Sequence, residues 1–183
     1  MKKIIPLFFA FCICCNTSYS QLTKKNWLVG GTGLFSSQSE NLNGTNIKGL
    51  DIEISPNIGY FFSDKFAGGA RVNYTYSNVK YPGVSNSVSH LGFGPFLRYY
   101  FLNTAKSVNL FAESYYQYTI VSSANSTSKE SLIRFSGGPV IFFNSSVGLE
   151  FTVNYQLFKG DDVDAKKIFL GIGFQIHLEK EKN

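Results

Sequence analysis

The segment VGLEFTVNYQLF, residues 147–158, alternates without a slip. Val147, Leu149, Phe151, Val153, Tyr155 and Leu157 share one parity; Gly148, Glu150, Thr152, Asn154 and Gln156 share the other. Such a period places one set on each face of a β-strand. The run is long, since strands are usually about 5–6 residues. Comparable alternation recurs over about Asn26–Ser36, Gly49–Phe61, Phe66–Ser77, Ser89–Phe101, Asn109–Ile120, Leu132–Phe143 and Lys167–Leu178. No stretch has a helical period. The expectation is an all-β chain of eight long strands, broken by Gly, Asn, Ser and Asp clusters.

The connections alternate in length. Short ones fall at Phe62–Lys65, Leu102–Val108 and Asn144–Ser146; longer polar ones at Ser37–Lys48, Asn78–Val88, Val121–Ser131 and Lys159–Lys166. That alternation gathers all the long connections at one end, as in up-and-down antiparallel barrels. FFSDKFAGGARVNY (61–74) and FFNSSVGLEFTVNY (142–155) also align without gaps, consistent with a repeated hairpin.

Alternation does not say which face is inside, because a soluble barrel with an oily interior alternates too. Composition decides. The polar faces hold small residues (Gly69, Gly92, Gly94, Ser136, Gly138) and all three arginines, Arg71, Arg98 and Arg134. Asp51, Glu53, Glu113 and Glu150 lie on the same faces. Arginine suits enclosed ion pairs because its planar fork meets carboxylates bidentately. Lysines, by contrast, cluster in connections and termini. The polar face is therefore read as a narrow lumen filled by side chains, with Asp51, Glu53, Arg71, Arg98, Glu113, Arg134 and Glu150 as a structural charge network. Arg98 and Glu113 fall at similar heights on adjacent strands, Arg71 and Glu150 near that level, and Arg134 and Glu53 higher. The oily face then meets lipid. Strands of this length suit a tilted bilayer crossing of about 9–11 residues. Phe35, Tyr74, Tyr76, Tyr116, Tyr118 and Tyr155 form one outer aromatic ring; Trp27, Tyr60, Phe66, Tyr99, Phe101 and Phe143 form another, like the girdles at membrane interfaces.

The first twenty residues read as a cleavable secretory signal. Lys2 and Lys3 precede the apolar run Ile4–Cys15, which is too short to span a bilayer as a helix. Ser18 and Ser20 place small residues at −3 and −1 of a cut before Gln21. Cys12, Cys14 and Cys15 all lie within this segment, so the mature chain of 183 − 20 = 163 residues has no cysteine and excludes disulfides and thiolate sites. The barrel is expected over residues 21–178, followed by a charged tail over 179–183. Net charge is +5, of which Lys2 and Lys3 supply two. Without a basic patch, nucleic acid is not an expected partner.

PNIGYFFSDKFAGGARVNYTYS, GPFLRYYFL and the terminal FLGIGFQIHL resemble the small outer-membrane β-barrel proteins of Gram-negative bacteria, of the OmpX and OmpA barrel type and in the style of the Bacteroidetes branch. The resemblance spans the mature chain and implies outer-membrane localisation. It also implies contact with outer-membrane lipid and lipopolysaccharide, and passage through the barrel-insertion machinery. The last strand resembles the signal read by that machinery, with Leu178 in place of the usual terminal aromatic. The chain is expected to be a monomer.

No catalytic, cofactor or metal motif emerges. His90 and His177 fall at opposite strand ends, too far apart to share a metal, and Ser89 and His90 face opposite ways. GGTG at 30–33 lies within a strand, not before a helix. Asp161, Asp162 and Asp164 lack the remainder of a calcium loop. The reading is a non-enzymatic barrel that anchors polar external loops, for adhesion, envelope integrity or shielding. A narrow porin-like channel is the alternative; a lipid-modifying outer-membrane enzyme or a soluble ligand-binding barrel are further readings.

Overall fold

The computed structural model describes residues 22–42, 45–104, 106–123, 126–159 and 164–178. The expected N-terminal signal and the charged tail lie outside them. Eight strands run in chain order: β1 Trp27–Leu42, β2 Thr45–Ser63, β3 Phe66–Tyr81, β4 Val84–Tyr100, β5 Val108–Ser123, β6 Ser126–Phe142, β7 Val147–Lys159 and β8 Asp164–Leu178. Each pairs antiparallel with its sequence neighbours, and β1 pairs with β8 to close the barrel.

The faces resolve as the alternation requires. Ile54, Leu97 and Val153 are 58%, 49% and 55% exposed, whereas Arg98, Glu113 and Glu150 are 2%, 4% and 0% exposed. A soluble barrel would have these values reversed. A continuous apolar exterior is stable only against lipid, and a closed barrel satisfies its backbone hydrogen bonds in that setting.

Strand ends differ from expectation at one rim. The stretches Ser37–Lys48, Asn78–Val88 and Val121–Ser131 are mostly paired strand rather than long loops. Asn78 pairs with Ser87 and Lys80 with Ser85, so β3 and β4 continue to the turn Pro82–Gly83. Gly83 has φ 79° there, the left-handed position that a Pro-Gly type II turn reserves for glycine. β2 is 19 residues long, well past the 9–11 or so that cross a bilayer. The barrel therefore projects from one membrane face as polar hairpins, and Lys48, Lys80 and Lys129 sit on those projections.

The opposite rim is tight. Asp64 and Lys65 make the β2–β3 turn, with Lys65 at φ 68°. Asn144 Oδ1 accepts from the backbone of Ser146 and Val147, both at 2.8 Å, fixing the β6–β7 turn. The residues before β1 fold under this rim: Lys25 N donates to Phe61 O and Lys65 N to Leu22 O, which brings the Leu22 side chain to full burial.

Candidate functional site

The lumen is built in layers. At the tight rim, Leu22, Phe61, Tyr100, Phe111, Phe142 and His177 form a buried floor. The His177 ring lies 5.4 Å from Phe142 and 5.8 Å from Phe61, centroid to centroid, and its Nε2 is 3.3 Å from the Tyr100 hydroxyl. The sequence reading did not foresee an aromatic layer on the inner face. Its signal was parity, since Phe111 and Tyr115 share the parity of Glu113.

Above the floor lies the charged layer. Arg71 on β3 donates Nη1 to Glu113 Oε1 at 2.6 Å and Nη2 to Oε2 at 3.0 Å. Arg98 on β4 donates Nε to Glu113 Oε2 at 2.9 Å, and its Nη1 pairs with Glu150 on β7. The same guanidinium reaches the Tyr100 hydroxyl at 3.2 Å, tying this layer to the floor. Aromatic rings flank both cations. Arg98 Cζ is 4.3 Å from the Phe111 centroid and Arg71 Cζ is 5.0 Å from that of Tyr115. Two arginines balance two glutamates with all four side chains buried, the arrangement in which desolvated charges are tolerated.

Glycine on the inner wall makes room for these long side chains. A Cβ on Gly92 would stand 2.1 Å from Gln117 Nε2. Gln117 in turn donates to Thr119 Oγ1 at 2.7 Å, part of a neutral polar layer with the Asn73–Ser55 and Ser136–Asn154 bonds, both 2.6 Å.

Higher still, Arg134 donates to Glu53 at 2.9 Å and to Gln156 at 2.8 Å. These side chains border a vestibule of about 290 Å³, whose wall also includes Asp51, His90, Glu130 and Lys167. Of the seven charged residues expected in the lumen, four thus gather in one buried layer and Arg134 with Glu53 forms a second. Asp51 lines the vestibule and enters none of the ion pairs among the described residues. His90 and His177 are separated by the full charged layer. Side chains fill the lower lumen, but the upper lumen is an open vestibule.

This architecture is similar to solved outer-membrane proteins. The outer membrane protein OprG from Pseudomonas aeruginosa superposes with a TM-score of 0.56 at 15% identity, covering 87% of this chain and 99% of that one. Neisserial surface protein A gives a TM-score of 0.55 at 17% identity, covering 82% and 96%. The outer membrane enzyme PagL aligns at 11% identity over 82% and 98%, with a TM-score of 0.44, too low to inform activity. No protein-family model and no curated protein matches the chain. With eight strands closed in sequence order, a charged lumen and an apolar exterior, the chain has the closed antiparallel β-barrel fold seen in these small outer-membrane proteins.

Proposed function

We infer that the protein is a non-enzymatic, non-conducting barrel whose task is to hold its polar hairpins outside the cell. The observation that carries this reading is the plug: the Arg71–Glu113–Arg98–Glu150 layer stands directly on the aromatic floor around His177. An eight-stranded barrel has an interior only wide enough for side chains, and here the largest side chains occupy it. Hairpins extended beyond bilayer length support a role at the outer surface, in adhesion, envelope integrity or shielding. Surrounding lipid and lipopolysaccharide are the partners of this reading, with the barrel acting as a monomer. Against an enzyme, His90 has no hydrogen-bonded acid or hydroxyl among the described residues, although it shares the vestibule with Asp51 and Ser77.

Planar-bilayer recording of the folded protein tests the reading. No step currents are expected across physiological voltages. Reproducible steps would favour the narrow channel instead.

A further inference from the structure

Charges at the projecting end of the barrel are sorted by face. Lys48 on β2, Lys80 on β3, Lys129 on β6 and Lys166 on β8 share the parity of Ile54, Val72, Ile133 and Ile168, which belong to the lipid-facing set. No register shift interrupts the strands between these positions. All four lysines are exposed. Asp51, Glu53 and Glu130, acids of the same end, have the opposite parity and border the vestibule, as does Lys167. None of the four outward lysines enters an ion pair among the described residues.

Position along the strands places these lysines at one height. Lys48 is 60 − 48 = 12 residues from Tyr60 at the tight rim, and Lys80 is 80 − 66 = 14 from Phe66. Lys129 is 143 − 129 = 14 residues from Phe143, and Lys166 is 178 − 166 = 12 from Leu178. At about 3.3 Å per residue and a tilt of about 40°, these separations are roughly 30–35 Å of height. An apolar band about 25 Å tall ends below that level. The head-group layer, which brings a bilayer to about 40–45 Å in all, includes it. The lysines lie on both sides of the barrel, since β2 and β6 are four strands apart in a ring of eight.

Lys48 and Lys80 are also register partners. Directly opposed side chains on one face have Cβ atoms about 5 Å apart, and like charges there are destabilising. An anion shared by the two ammonium groups removes that repulsion and adds charge-assisted hydrogen bonds. Ser85, the partner of Lys80 on β4, accepts from Asn78 Nδ2 at 3.1 Å and keeps its own O–H to donate. Lysine suits a phosphate, as a compact charge with three donors. We propose that Lys48 and Lys80, with Ser85 beside them, hold a phosphate of lipopolysaccharide in the outer leaflet. Lys129 and Lys166 continue the same band on the far side of the barrel. A leaflet surrounds the barrel as these lysines do, whereas a protein partner would call for them on one side. The inference rests on the reading that the hairpins stand outside the cell, and names the group of the surrounding lipid that they engage.

The test titrates the folded protein in non-ionic detergent with bisphosphorylated lipid A and counts bound molecules by native mass spectrometry. Lipid A stripped of both phosphates is the matched probe. At least a tenfold preference for the phosphorylated form is expected. Lys48→Glu with Lys80→Glu should lower that affinity at least tenfold, and Lys48→Arg with Lys80→Arg should retain it. Lys24→Glu with Lys25→Glu, the same charge change at the tight rim, should leave it unchanged. Heat-modifiable migration verifies folding of each variant. Equal binding of the two lipid A forms would overturn phosphate as the recognised group. An equal loss in the tight-rim variant would overturn the Lys48–Lys80 pair as the site. Competition by millimolar inorganic phosphate would overturn the lipid as its source. Placement is checked separately with Val84→Cys at the β3–β4 turn, which should react with an impermeant maleimide on intact cells. Protection of that position would overturn the outer placement of the hairpins, and lipopolysaccharide with it. Labelled hairpins without lipid A binding would overturn the site alone.

Discussion

Glu150 on β7 and Arg98 on β4 pair across the lumen with side chains 0% and 2% exposed. The contact spans 52 residues of sequence and braces opposite walls of the barrel. Glu150→Leu removes one carboxylate from a layer of two arginines and two glutamates, leaving an uncompensated buried cation. Breaking a buried pair in this way costs about 3–5 kcal/mol. Urea unfolding of the reconstituted protein, followed by loss of the compact gel band, should show a correspondingly lower midpoint. Conductance should stay absent. Step currents at unchanged stability would identify the layer as a gate.

Removing both ends of the contact should be milder than the single changes imply. In Arg98→Met with Glu150→Leu, the remaining pair is Arg71 with Glu113, which is bidentate and neutral. A double-mutant cycle should therefore give a coupling of about 1–3 kcal/mol, since residues in one network are non-additive. Additive losses within error would mean that Arg98 and Glu150 act separately, each on some other partner.

The barrel and its inward charges were legible because alternation and arginine placement are local signals with one physical cause. Arg98 and Glu113 are register partners, as their positions along adjacent strands required. Three features were not legible. The hairpin projections lack an apolar face, so Asn78–Val88 has loop composition although its backbone pairs on both sides of the Pro82–Gly83 turn. The aromatic floor is hidden by doubled aromatics at strand ends. In Tyr60-Phe61-Phe62 and Tyr99-Tyr100-Phe101, parity carries no contrast between the inward and outward rings. The third is where β1–β8 pairing stops, at Gly33 with Ile172, which neither strand's own sequence records.

Two glycines separate packing from propensity. A Cβ on Gly69 would stand 2.0 Å from Ile58 O, against backbone that cannot swing aside. Gly69→Ala should force β2 and β3 apart and lose about 1–3 kcal/mol, the range for overpacking. Gly33, the last β1 residue paired with β8, has nothing within 4 Å of its added Cβ. Gly33→Ala should change stability by no more than about 0.5 kcal/mol. Thermal midpoints of the two variants in the same detergent check the contrast, and equal losses would mean that strand propensity, not space, sets the outcome.

The two ion-pair layers should respond differently to salt. The side chains of Arg134 and Glu53 are 4% and 14% exposed and border the vestibule, whereas those of Arg98 and Glu113 are both 2% exposed beneath it. Solvent reaching the upper pair screens it, and mobile ions weaken it further. Arg134→Ala should thus destabilise by about 1 kcal/mol at low salt and by less in 1 M salt, where the screening length is about 3 Å. Arg98→Ala should cost several times as much, because two buried carboxylates lose their shared cation. That loss should not shrink with salt, since ions have no route past the charged layer to reach it. Unfolding midpoints of both variants at low and high salt supply the comparison. A salt-dependent Arg98→Ala would mean that water and ions pass the plug, and would count against a closed lumen more directly than the absence of conductance supports one.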